Sequence, residues 1–205
     1  MKKIPTLFER KFENHRVVGI SDKVIPGMEW VLEGKGIATV KIDGSCCAII
    51  GGKFYKRYDA KRGKKPPEGA IPCCDADPIT GHHPHWVLVD DSQPDSKWHI
   101  EAFKAAESHR GRLCDGTYEA VGPHFQGNPH RLPYDTLIQH GMATIDTDEL
   151  GDDEEHRTFE GIKKYLEIHG IEGIVFWLND EPMCKIKRSD FGFKWPMDEG
   201  RVGSA

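Results

Sequence analysis

The sequence predicts an α+β fold built mainly from antiparallel sheets. Three observations predict it. Strand-like segments outnumber helical ones, they follow one another without regular strand–helix alternation, and the pair Gly51-Gly52 joins two strand-like runs as a hairpin.

In chain order the elements read as follows. Residues 1–40 are mixed, with "RVVGI" as a short strand and "EWVLEGKGIATVKI" as one or two strands broken at Gly34–Gly36. "GSCCAIIGGKFYKRYD" is the hairpin, its second arm alternating around Phe54 and Tyr55. Residues 62–85, rich in Pro, Gly and His, read as a long irregular loop, and "HWVLVD" as a strand. "SKWHIEAFKAAESH" has the spacing of a helix, with Trp98, Ile100, Phe103 and Ala106 as its apolar stripe. "GTYEAVG" and "TLIQHG" are strands separated by the turn-rich "GNPHRLPYD". "TFEGIKKYLEIHG" is an amphipathic helix closed by Gly170. "IEGIVFWL" is the most strand-like segment, "EPMCKIKRSDFGF" is a turn followed by a strand, and "DEGRVGSA" reads as a frayed end.

At 205 residues, with 38% hydrophobic and 30% charged content, the chain suits one globular domain that buries its core without staples. The expected domain covers residues 1–195, with 196–205 as a tail. No apolar stretch approaches the ~20 residues of a membrane span. The start, "MKKIPTLFERKF", lacks the apolar segment of a secretory signal. Six cysteines, among them the adjacent pairs Cys46/Cys47 and Cys73/Cys74, then read as reduced thiols of a cytoplasmic protein.

A net charge of −5 argues against a general nucleic-acid coat. The basic residues are concentrated, however, in Lys53 to Lys65 and in "CKIKRSDFGFK", while the acid gathers between Asp146 and His156. That pattern suits a local site for phosphates better than a surface that wraps duplex. The common phosphate-binding loops, GxxxxGK[ST] and GxGxxG, are absent from the sequence.

The candidate chemistry begins at "TVKIDGSCC". Lys41 ends an apolar run beside a turn, where desolvation or nearby cations would expose its lone pair. In "TYEAVG", alternation sends Tyr118 and Glu119 to opposite faces. Glu172 opens a nearly apolar strand and needs a cation or hydroxyl partner there. Lys185 and Lys187 alternate onto one strand face, a pair that an intervening phosphate would reconcile.

Taken in order, Lys-x-Asp-Gly, an aromatic-Glu strand, Glu-Gly-Ile-Val and Lys-x-Lys resemble the motif set of the covalent nucleotidyltransferases. That superfamily holds polynucleotide ligases and mRNA capping enzymes. The resemblance is strongest to a compact RNA ligase family that seals 5′-phosphate to 3′-hydroxyl ends, and it runs from about residue 35 to 195. It implies an ATP-grasp-like adenylation domain around a nucleotide cleft, acting on ATP and RNA ends; apart from the resemblance, a monomer away from membranes is expected. It also implies roles. Lys41 would attack the ATP α-phosphorus and become lysyl-AMP. Arg57 would touch phosphate, Glu119 with neighbouring Tyr118 would bind the ribose side, and His140 would pack on adenine. Glu172, with Glu119, would help hold Mg²⁺ or Mn²⁺, and Lys185 and Lys187 would contact the α-phosphate.

The sequence departs from the family pattern at two positions. Cys46 stands where many relatives carry an arginine, and Thr39 where many ligases carry an adenine-reading glutamate. The residues after 195 also leave no room for an appended OB-type barrel. Lys61, Arg62, Lys64 and Lys65 are expected to steer the 5′-phosphate strand. A DNA ligase, another nucleotidyltransferase such as a capping guanylyltransferase, and a non-catalytic nucleotide- or RNA-binding module are the alternatives. Cys73, Cys74, His82, His83 and His85 are zinc-ligand types, but they lack both C-x2-C and H-x3-H spacing.

Overall fold

The computed structural model describes residues 3–14, 16–78, 80–145, 150 and 157–197. The chain forms two compact units: Asp43–His140 with Met1–Lys3, and Ile4–Ile42 with Gly141–Ala205. We call them unit one and unit two. Both are mixed α/β, and their sheets are mostly antiparallel. The acidic run Asp146 to His156, apart from Leu150, and the end of the chain from residue 198 lie outside the described residues.

In chain order, unit two begins with the ribbon β1 (Phe8–Glu13) and β2 (Arg16–Val24), followed by β3 (Ile37–Lys41). Unit one holds β4 (Ser45–Ile50), β5 (Lys53–Ala60), β6 (Ile71–Pro72), β7 (His83–Leu88), α1 (Lys97–Arg110), β8 (Gly116–Val121) and β9 (Thr136–Gln139). Unit two resumes with α2 (Phe159–Ile168), β10 (Gly173–Leu178) and β11 (Glu181–Lys187).

The six strands of unit one are ordered β6-β7-β5-β4-β8-β9. The expected hairpin is there: Gly51 and Gly52 take φ of 57° and 73°, and their amides donate to Asp115. Strand alternation then sorts the side chains. Cys47, Ile49, Tyr118, Ala120 and Leu137 share a core cluster with Ala102 and Ala106 of α1. The opposite face carries Ala48, Tyr55 and Trp86, with Cys46 and Cys73 packed against them. In α1 the deepest residues are Ala102 and Ala106, flanked by Trp98 and Phe103. Ile100 lies outside this cluster, because its position two residues from both Trp98 and Ala102 turns it well off their stripe.

Unit two packs the sheet β11-β10-β3 and the β1-β2 ribbon around α2. Ala38, Ile174, Phe176, Cys184 and Ile186 give their shared face to this core, with Leu7, Phe8, Ile162 and Leu166. Thr158 caps α2, its side chain accepting from the Gly161 amide.

Three local expectations change. The segment before β3 is a 3-10 turn (Glu29–Val31), not a strand, and Gly34 and Gly36 are left-handed at φ 76° and 71°. Residues 62–85 are not wholly irregular, since β6 and the start of β7 pair within them. Their Pro and His residues masked the strand. β1 was not distinguishable within residues 1–40, because "FERKFE" is charged at four of its six positions.

Candidate functional site

The side chain of Lys41 is placed by register. Antiparallel pairing sets Gly173 of β10 opposite both Lys41 of β3 and Lys187 of β11. One row further, Val175 lies opposite Thr39 and Lys185. Because the alternate residues face the core, these rows form the other face of the sheet. Gly173 contributes no side chain, and a Cβ there would lie 2.2 Å from the Ile186 carbonyl oxygen. The glycine leaves a gap in the row between two lysines.

Glu172 fills that gap electrostatically. Lys41 Nζ donates to Glu172 Oε2 at 2.5 Å, and Lys187 Nζ donates to Oε1 at 2.9 Å. The carboxylate is 6% exposed, so both of its oxygens are held by ammonium groups inside the protein. The expected cation partner for Glu172 is thus present twice over. Burial, and next the charges of Lys41 and Lys187, push Lys185 down to about 8. The backbone of Lys185 is fixed as well: its amide donates to the Pro5 carbonyl and its carbonyl accepts from Leu7 N–H.

Thr39 lies on the same face but is 2% exposed. Its hydroxyl accepts from Trp177 Nε1 at 2.8 Å and donates to the Val175 carbonyl at 3.4 Å. Both contacts are internal to unit two.

In unit one the register sets Cys46 opposite Glu119, and Ala48 opposite Thr117. Glu119 therefore lies on the face away from α1. Tyr118, its neighbour, points into the α1 core, 1% exposed, with its hydroxyl donating to the Cys114 carbonyl. The two side chains do take opposite faces, and that leaves Tyr118 without access to a ligand. Glu119 Oε1 accepts from His140 Nε2 at 3.2 Å, while His140 Nδ1 meets Thr117 Oγ1 at 2.9 Å. The other carboxylate oxygen, Glu119 Oε2, is buried with no hydrogen-bond partner among the described residues. A buried carboxylate oxygen left in this state is an acceptor awaiting a donor.

Arg57 donates through Nε to Asp59 Oδ1 at 2.8 Å and also interacts with the Cys46 side chain. A guanidinium therefore reaches position 46 from the neighbouring strand. Burial, with the charge of Glu119 next, pushes the Cys46 thiol up to about 12 and keeps it protonated. Lys61, Arg62, Lys64 and Lys65 are all exposed. Among the described residues, no group of three or more His, Cys, Asp or Glu is gathered to hold a metal ion. In the Cys/His-rich loop the His83 and His85 rings lie against each other at 4.2 Å, and His85 Nδ1 contacts the His83 carbonyl oxygen at 2.8 Å.

Sequence reasoning missed three contributors: Gly173, Trp177 and Arg10. The first was legible only as part of "EGIVFW", and its spacing role needs the register. Trp177 read as one more apolar strand residue. Arg10 lies in the charged β1, where nothing in the sequence sets it apart.

The described geometry gathers three lysines around one buried carboxylate on a mixed, mostly antiparallel fold. The chain is similar to curated proteins called RNA ligase 1. One, from Pongo abelii, is 26% identical across 82% of this chain and 71% of its own length. A second, from Rattus norvegicus, is 24% identical over the same shares of both chains. A third, from Danio rerio, is 26% identical across 57% of this chain and 43% of its own length. No family model matches the chain. These similarities point to an RNA-ligase-related protein.

Proposed function

We propose that the protein is an ATP-dependent RNA ligase with an ATP-grasp-like nucleotidyltransferase fold. It joins 5′-phosphate to 3′-hydroxyl ends through lysyl-AMP and adenylylated-RNA intermediates. The observation that carries this reading is Glu172 bridging Lys41 and Lys187, with Lys185 beside them on the same sheet face. The curated relatives are called RNA ligases, which agrees with it.

The chain's own residues take the following parts in the first step. Glu172 Oε2, 2.5 Å from Lys41 Nζ, is placed to take the proton whose loss frees the lone pair, and the neutral amine then attacks the α-phosphorus and releases its second proton to solvent. A phosphoramidate forms and pyrophosphate leaves with the electron pair of the broken bond. Lys185 and Lys187 offset the charge of the phosphate in flight, which is most of what such a transfer asks of a protein. Glu119, with its unpartnered Oε2, accepts from ribose hydroxyls. His140 holds that carboxylate through Oε1, so we assign it to orienting Glu119 rather than to stacking on adenine. Arg57 serves as a phosphate contact.

Mg²⁺ or Mn²⁺ is the expected metal, and the residues fit it in part. Mg²⁺ uses one or two carboxylates and keeps several waters. The unpartnered Glu119 Oε2 is a suitable hard ligand, whereas both Glu172 oxygens are already held by lysines. The metal would supply charge neutralisation at the triphosphate.

The test is adduct formation. Incubated with labelled ATP and Mg²⁺ and then denatured, the wild type should retain an acid-labile, base-stable label, as a phosphoramidate does. Lys41→Ala should retain none. An unlabelled wild type, or a labelled Lys41→Ala, would sink the ligase reading. The first result together with ATP-dependent thermal stabilisation of Lys41→Ala would favour a non-catalytic nucleotide-binding module, the reading that Cys46 in place of arginine suggests. Comparison of ATP with GTP, and of RNA ends with nicked DNA, separates a capping enzyme and a DNA ligase.

A further inference from the structure

The lysine site of unit two has a fourth cation, Arg10 of β1. Arg10 Nη2 lies 3.6 Å from Asp190 Oδ1, and the other oxygen of the same carboxylate accepts from the Lys187 amide at 2.9 Å. Asp190 is 8% exposed, so a buried carboxylate ties Arg10 to the end of β11. At 3.6 Å that contact is an ion pair and not a short hydrogen bond. Among the described residues the guanidinium makes no hydrogen bond, and the side chain is 36% exposed.

Charge and fork geometry make Arg10 unlike the lysines. Lys41 and Lys187 share Glu172, while among the described residues Lys185 and Arg10 have no carboxylate within hydrogen-bond distance. The charge of Arg10 also contributes to lowering Lys185, which places the two cations near each other. Such a group of cations carries an electrostatic cost that an anion with several oxygens would remove. A guanidinium presents several N–H donors in a plane and suits a tetrahedral phosphate better than an ammonium does.

We propose that Arg10, together with Lys185 and Lys187, forms a subsite for pyrophosphate. It would hold the β- and γ-phosphates of a nucleoside triphosphate before transfer and the pyrophosphate after it. The inference rests on the lysyl-AMP reading for its place in the reaction. As Lys41 Nζ bonds to the α-phosphorus, the bond from that phosphorus to the α,β-bridging oxygen breaks. Its electron pair leaves on pyrophosphate, and the Lys41 nitrogen, an ammonium at rest, gives up two protons, one to Glu172 to free the lone pair and one to solvent as the P–N bond forms. Arg10 stabilises the charge that builds on the departing group.

The experiment measures pyrophosphate binding to the unadenylylated full chain by calorimetry, for wild type, Arg10→Ala and Arg10→Lys. Circular dichroism and unliganded melting establish that each variant is folded. A second arm measures the preference for 5′-phosphorylated over 5′-hydroxyl RNA. We expect Arg10→Ala to weaken pyrophosphate binding about tenfold or more, Arg10→Lys to recover part of that loss, and the RNA preference to stay as in wild type. Pyrophosphate affinity unchanged in Arg10→Ala overturns the subsite. A loss of the 5′-phosphate preference instead assigns Arg10 to the RNA end and overturns it equally. An Arg10→Ala chain that does not fold leaves Arg10→Lys to decide, since an affinity equal to wild type in that variant removes the fork argument. If wild type binds pyrophosphate through Arg10 but never forms an adduct, the ligase reading fails and the subsite stands.

Discussion

Lys185 is the residue on which the electrostatics of unit two converge. Burial lowers the pKa of its amine most, and the charges of Lys41, Lys187 and, less, Arg10 add to that. A folded-state value of about 8 against an ordinary 10.5 fixes the sign of a pH effect. Below about 8 both folded and unfolded chains hold the proton, and the full penalty is present. Between about 8 and 10.5 the folded chain has released the proton while the unfolded chain keeps it, so stability gains as pH rises. Lys185→Met should therefore melt higher than wild type at pH 7, and the gap should narrow toward pH 10. Thermal melts of both proteins across that range check it, and an equal gap at every pH would contradict it. On the proposed reading the same variant should lose adduct formation, because the charge that destabilises the resting fold would be the charge that meets phosphate. This residue was legible in the sequence as half of Lys-x-Lys, because strand alternation is local. Its neighbour Arg10 was not, because β1 comes near β11 only through tertiary packing.

At the scale of elements, β10 organises the site by what it lacks. Gly173 sits opposite Lys41 on one side and Lys187 on the other. Gly173→Ala would set a methyl 2.2 Å from the Ile186 carbonyl oxygen and 2.9 Å from Lys187 Cα, both backbone atoms. The strands must part locally, at about 1–3 kcal/mol. A denaturant melt should show that loss, and labelling with ATP should fall more steeply than stability does, since the two lysines would no longer share Glu172. Ala at this position with unchanged labelling would mean that the row spacing does not matter. The elements themselves were largely readable. The hairpin at Gly51-Gly52, both helices and the strands around Lys41, Glu119 and Lys185 follow from turn residues and periodicity. "FERKFE" was not, and the strand read at "HWVLVD" begins two residues earlier than expected, because charge, Pro and His hid pairings that depend on a partner elsewhere in the chain. Likewise Glu119 was legible as a strand acid, but its bond to His140, twenty-one residues away, needed the pairing of β8 with β9.

For the whole molecule, the charge distribution carries the remaining prediction. The chain is acidic overall at −5, yet Lys61, Arg62, Lys64 and Lys65 are exposed together. If these residues steer a single-stranded RNA end, replacing all four with Ala should weaken RNA binding at low salt. It should also flatten the plot of log affinity against log salt by about 3, at roughly 0.7 per phosphate neutralised on a single strand. Adduct formation with ATP alone should not change. A slope identical to wild type would make the loop a solvated surface and nothing more.

The carboxylate shared by two amines has one more consequence. Glu172 holds Lys41 through Oε2 and Lys187 through Oε1. A phosphoramidate nitrogen carries no positive charge, so if residue 41 accepts a nucleotidyl group as proposed, one arm of the clasp loses its ion pair. The resting and the loaded protein then differ in how many grips Glu172 has. The chemical state of a single nitrogen would thereby set how firmly its neighbouring carboxylate is held.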